Sequence, residues 1–212
     1  ASITLQLPST VQAILAARID RLAPEEKALL QQLSVIGREF PLSLVRQVIP
    51  QPEADLYRLL ASLQRKEFLY EQPAFPEVEY IFKHALTQEV AYGTVLHEHR
   101  KRLHERTGQA LETVYPATLP EHYSDLAHHY RRSANTEKAI EYLHLAGQHA
   151  VRRSAYTEAI NDLTAALELL RTQPDTTKRA QRELSVHVTL GPALITTKGW
   201  AAWEVGQAYA RA

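Results

Sequence analysis

Histidine is the residue through which this chain of 212 amino acids could do chemistry: there are ten of them and no cysteine. An imidazole can move a proton near neutral pH, ligate a metal, or donate a hydrogen bond to a phosphate oxygen. The lack of cysteine excludes disulfides, thiol catalysis and thiolate metal sites. His97, His99 and His104 lie among Arg100, Lys101, Arg102 and Arg106, and His128 adjoins His129. Spacings of one, two and five do not set ligands on one helix face, and the usual neutralising carboxylates are missing. These histidines read as a solvated helix face. The basic run from Arg100 to Arg106 could meet phosphate or an acidic partner, but Glu98 and Glu105 dilute it. His84 stands apart. It joins the alternating Glu79, Tyr80, Ile81 and Phe82 to a helix with Leu86/Val90 and Ala91/Val95 at spacing four. A histidine at such a corner can face a neighbouring domain, or it can be a half-buried helix cap; spacing alone favours the cap.

No catalytic constellation accompanies these residues. There is no GxxxxGK[ST] phosphate loop, no HExxH and no plausible nucleophile–base arrangement. The chain therefore has no means of hydrolysing ATP unaided. Lys plus Arg and Asp plus Glu both number 24, so no overall field draws in DNA or an acidic membrane. The chain opens Ala1-Ser2 and lacks methionine, which reads as a piece of a longer protein. Nothing resembles a signal peptide. Leu184 to Thr197, free of Asp, Glu, Lys and Arg, is too short to span a bilayer and reads as a buried helix.

Helical signals dominate. Pro8 and the Ser9/Gln12 pair mark a capped start for a helix with Val11, Ile14, Leu15, Ile19 and Leu22 on its apolar side. Pro24, Glu25 and Glu26 open a second helix that stops at Gly37. A third covers Leu42 to Val48 between Pro41 and Pro50, and a fourth follows Pro52 with Leu56, Leu59, Leu60 and Leu63 as its stripe. Phe68-Leu69-Tyr70 and Tyr80-Ile81-Phe82, around a loop with Pro73 and Pro76, predict a two-stranded wing. Helices followed by a small hairpin describe a winged helix. Over residues 9–83 nine Lys/Arg meet ten Asp/Glu, whereas a DNA-reading face should be basic.

From His99 only helical periodicity remains. One helix carries Leu103, Thr107, Ala110, Leu111 and Val114 and breaks at Pro116; the next runs from Leu119 through Tyr130. Two more are lined by Ala139, Leu143, Ala146 and Ala150, and by Ala159, Leu163, Ala166 and Leu170. Arg131-Arg132-Ser133-Ala134-Asn135-Thr136-Glu137 returns 21 residues later as Arg152-Arg153-Ser154-Ala155-Tyr156-Thr157-Glu158, each copy preceding an Ala-Ile pair. Tyr123, Tyr130, Ala139 and Ala159 read as packing residues. After a linker at Thr172 to Thr176, Leu190-Gly191 and Val205, Tyr209 and Ala212 suggest a further unit.

Two resemblances extend this reading. Phe82-Lys83-His84-Ala85-Leu86, with Glu89 as a later acid, resembles the end of the winged-helix domain in signal-transduction ATPases of the STAND class. Their motif is hydrophobic-x-His-x-Leu followed by an acid, and its histidine faces the phosphates of bound ADP. Plant disease-resistance receptors and apoptotic ATPases carry it as Met-His-Asp; Ala85 replaces that Asp, so no role of the Asp carries over. Leu7-Pro8-Ser9-Thr10, Ala17-Arg18-Ile19-Asp20-Arg21-Leu22 and Val35-Ile36-Gly37-Arg38-Glu39-Phe40 resemble the same domain in bacterial ATPases fused to class III adenylate or guanylate cyclases. The helices from Leu126 onward resemble tetratricopeptide (TPR) repeats, although 21 departs from the usual period of about 34.

These resemblances imply a mainly α fold: a winged-helix domain with a small two-stranded wing at 8–96, then antiparallel TPR-like repeats at 97–212, truncated at the C-terminus. They imply a non-catalytic, cytoplasmic regulatory arm of a signalling ATPase, with His84 as its nucleotide-sensing residue. The arm itself holds no cofactor or metal, while the parent uses ATP/ADP with Mg. Expected partners are the parent's nucleotide-binding domain and a protein, peptide or ligand on the repeats, with neither DNA nor membrane. The alternatives are part of an ATP-dependent transcription regulator, or a free-standing TPR scaffold.

Overall fold

The computed structural model describes residues 9–74, 77–200 and 202–211. It is mainly helical, with one small antiparallel sheet, and divides into two compact units at 110/111. Among the described residues no helix is long and apolar enough to cross a membrane.

The first unit begins with α1 (Ser9–Asp20) and α2 (Pro24–Ile36). The expected cap at Pro8 and the Ser9 side chain lies outside the described residues. At the start of α2, Pro24 needs no N–H partner, and Glu26 turns back to accept the Ala23 N–H at 3.0 Å. Glu26 also accepts from Ser62 Oγ at 2.6 Å and from Lys66 Nζ. The carboxylate is 7% exposed, and hydrogen bonds from Lys66 and then Ser62 pull its pKa down to about 2. Leu29, Leu30 and Leu33 form the buried face of α2, and Gly37 follows its last turn. β1 (Glu39–Pro41), α3 (Leu42–Val48) and α4 (Glu53–Arg65) come next, α4 burying the expected Leu56, Leu59, Leu60 and Leu63.

β2 (Leu69–Gln72) and β3 (Glu79–Phe82) make the expected hairpin, with Leu69 opposite Phe82 and Gln72 opposite Glu79. The sheet is larger than the two strands expected. β1 joins β3, giving the order β1-β3-β2, with Phe40 opposite Tyr80. Three residues are too few to show an alternation, but Phe40 fixes the pairing through ring contacts of 6.0 Å with Phe82 and 6.4 Å with Tyr80. Pro41 suits an edge strand, where a missing N–H costs nothing.

α5 (Ala85–Gly93) packs on α1 and α2, and α6 (His97–Val114) begins in this unit. Here the solvated-face reading of the histidines needs correcting. His97 and His99 are exposed, but His104 is 1% exposed, with Tyr92 Oη 2.9 Å from its Nε2. The guanidinium of Arg100 lies 4.4 Å over the Tyr92 ring and donates to the Val95 carbonyl at 2.7 Å; Arg106 donates to the Val48 carbonyl. Part of the basic run thus fastens α6 to its own unit.

The second unit contains a 3-10 turn at Leu119–His122, then α7 (Tyr123–Arg132), α8 (Thr136–Arg152), α9 (Tyr156–Arg171), α10 (Thr177–Lys198) and α11 (Trp203–Arg211). The helix expected from Leu119 therefore starts later, after a tighter turn around Pro120. Each of these helices packs on the next, and α8 lies against both α7 and α9. Three-residue connections at 133–135 and 153–155 reverse the chain, and both fall inside the repeated heptapeptide. Asn135 caps α8 by accepting the Lys138 N–H at 3.1 Å, and Thr176 caps α10 in the same way.

Small residues set the helix spacing. A Cβ on Gly147 would stand 2.6 Å from Leu163 Cγ, so α8 and α9 approach more closely there than any side chain allows. Ala139, Ala159 and Tyr130 are buried as expected, and Tyr130 stacks on Tyr142 at 5.4 Å; Tyr123 is only half-buried. Two further readings change. His129 is buried, and α10 is amphipathic rather than wholly buried, with Leu184 44% and Val188 59% exposed. Pro192 lies inside α10.

Candidate functional site

His84 lies where the sequence puts it, between the end of β3 and the first turn of α5. Its backbone is extended (φ −135°, ψ 133°), and its carbonyl accepts the Thr87 N–H at 2.9 Å. The imidazole is exposed and caps no helix N–H. The half-buried cap favoured by spacing alone is therefore absent. Phe82, two residues earlier, is buried and anchors the end of β3, and the Lys83 N–H donates to the Phe68 carbonyl at 3.0 Å.

Two residues distant in sequence, Glu67 and Arg18, meet the adjacent Lys83 at this corner. Lys83 Nζ bonds Glu67 Oε1 at 2.8 Å and lies 5.4 Å over the Tyr70 ring. The Glu67 hydrogen bond raises the Lys83 pKa, and the same bond lowers that of Glu67, helped by the charges of Arg18 and His84. Arg18 donates to the Lys66 carbonyl at 3.2 Å and lies 5.1 Å over Phe68. Glu67 occupies the left-handed region at φ 60°, one residue past the Lys66 cap of α4, with Phe68 N–H returning to the Leu63 carbonyl at 3.0 Å. That is a helix-ending geometry in which glycine is the low-cost residue. A glutamate tolerated there ties the end of α4 to the residue before His84.

The corner thus sets the cations Arg18 and Lys83 and the His84 imidazole around one carboxylate, beside the N-terminus of a helix with no acid in its first turn. Such a corner can receive the oxygens of a phosphate, and α5 adds the positive end of its dipole. Sequence reasoning singled out His84 but not Arg18 and Glu67, which come to this corner only through tertiary folding. The one local signal was a charged residue in the position after α4 where glycine is expected.

The other candidate surfaces are less open. On α4, Arg58 is tied to Glu25 and Asp55, while the neighbouring Arg46 is tied to Glu53 and Tyr57. Lys66, just after α4, is held by Glu26. A phosphate backbone would have to displace these carboxylates. Among the described residues, no group of three or more His, Asp or Glu side chains stands close enough to hold a metal ion.

No family model and no solved structure matches the chain. An uncharacterized protein of Rhizobium meliloti (strain 1021) is 28% identical over 192 residues. The match takes in 90% of this chain but 19% of that protein, so the chain spans about a fifth of the length of the relative it resembles.

Proposed function

We propose that this chain is a non-catalytic regulatory arm of a larger signal-transduction ATPase. In this reading the first unit is a winged helix that closes on a nucleotide-binding domain elsewhere in the parent, and His84 contacts the phosphates of ADP. The second unit is a TPR-like array that binds a protein, peptide or small ligand, and its occupancy biases the closed state. The parent carries ATP/ADP with Mg, works in the cytoplasm and, in the cyclase-fused kind, controls cyclic-nucleotide synthesis.

The observation that carries the reading is the exposure of His84 at the strand-to-helix corner, with its side chain spent on no helix cap. A core histidine would be enclosed, as His104 is. The small sheet set against a helical core supports the winged-helix assignment, and successive helix-on-helix packing supports the repeats. The fivefold greater length of the Rhizobium relative leaves room for other domains in proteins of that kind.

The chain by itself is expected to show no ATPase or cyclase activity and no micromolar affinity for ATP, since it has no phosphate loop. Titration calorimetry with ATP checks this, and a micromolar dissociation constant would remove the need for a separate nucleotide-binding domain. No sequence-specific DNA binding is expected either, given the near-neutral charge of residues 9–83 and the ion pairs of Arg46, Arg58 and Lys66. A mobility-shift series across salt concentrations is the test. A specific shift abolished by Arg65→Ala with Lys66→Ala would favour the transcription-regulator alternative.

A further inference from the structure

α9, α10 and α11 enclose an open cleft of about 730 Å³ within the second unit. That volume falls in the range of small-molecule sites, roughly 300–1,000 Å³. The connection at 172–176 is short, so α9 and α10 run antiparallel. Arg171, at the end of α9, therefore lies toward the same end of the cleft as Glu183 and His187 on α10. Leu167, Leu190 and Leu194 continue along it as apolar wall, and the Lys198–Glu204 ion pair closes the far end.

The charges on this wall are unequal in their pairing. Lys198 is matched by Glu204, and Glu183 lies 3.9 Å from both Arg179 and His187. Arg171 lines the cleft, is exposed, and makes no ion pair among the described residues. The cleft thus offers an apolar strip along Leu167, Leu190 and Leu194 within a mixed lining, with one guanidinium outside any ion pair at one end. A planar guanidinium matches a carboxylate with two parallel N–H donors.

We propose that the cleft between α9, α10 and α11 binds a small amphipathic monocarboxylate, its carboxylate on Arg171 and its apolar body along Leu167, Leu190 and Leu194. This deepens the reading of the second unit as a sensor and rests on it. A ligand here touches α9, α10 and α11 together, so its binding would stiffen that end of the array.

Calorimetry on the full chain, with decanoate below its micelle concentration and with decanol and decylamine beside it, tests the assignment. Decanoate is expected to bind saturably and most tightly of the three. Arg171→Gln should weaken decanoate by about tenfold or more, as for loss of one charge-assisted bond, while leaving decanol unchanged. Thr164→Trp, which fills the cleft from an exposed lining position, should remove both. Tighter binding of decylamine would assign the polar end to Glu183 and overturn the proposal. So would decanoate binding indifferent to Arg171→Gln, or no saturable binding at all. A failure here leaves partner docking by the array intact, whereas loss of the His84 effect in the parent would leave this titration untouched.

Discussion

Ala159→Arg is expected to unfold the second unit, at a cost of about 4 kcal/mol or more. Ala159 is fully buried on α9, where that helix lies against α8, and the neighbouring contact of Gly147 with Leu163 shows how little room separates the two. An arginine there must either force the helices apart or leave its charge buried and unpaired. Thermal melting followed by circular dichroism would lose the transition of the second unit and keep that of the first. A melting profile equal to the parent's would mean that the registry of α9 is wrong.

Glu26→Gln is expected to destabilise the first unit by about 2 kcal/mol at neutral pH, a figure discounted because water reaches its partner Lys66. The carboxylate accepts from Ala23 N–H, Ser62 Oγ and Lys66 Nζ, and an amide NH₂ would confront one of those donors with another. The acid dependence has a fixed sign. The folded pKa is pulled from 4.5 to about 2, so the stabilisation is complete above about 4.5 and fades as pH falls toward 2. Urea midpoints of wild type and variant should therefore differ near neutrality and converge in acid. A constant difference down to pH 2 would place the effect in packing rather than in the charge.

Much of this architecture was legible because its signals are local. Pro24, Pro41 and Pro52, Gly37 and the leucine stripe of α4 fixed helix boundaries in the first unit, and the repeated heptapeptide fixed two turns in the second. What escaped was tertiary. β1 has three residues and exists because Phe40 packs against Phe82. His104 and His129 look polar in sequence, yet their helices turn them inward, and His104 meets Tyr92 there. At the candidate site His84 was readable from the strand-to-helix junction. Arg18 and Glu67 were not, because α1 and the end of α4 reach that corner only on folding.

The central claim is that His84 acts on a phosphate held by another domain and not on the fold of its own. If so, His84→Ala leaves the melting temperature of this chain within about a degree, the behaviour of an exposed side chain without buried partners. In the full-length parent the same change should speed ADP release and raise basal output, because a contact made only in the closed, ADP-bound state is lost. Stopped-flow release of a fluorescent ADP analogue from wild-type and His84→Ala parent is the most direct measurement. Faster release from the variant, with unchanged stability of this chain, is the predicted result; unchanged release together with a destabilised chain would contradict it and make His84 a structural residue.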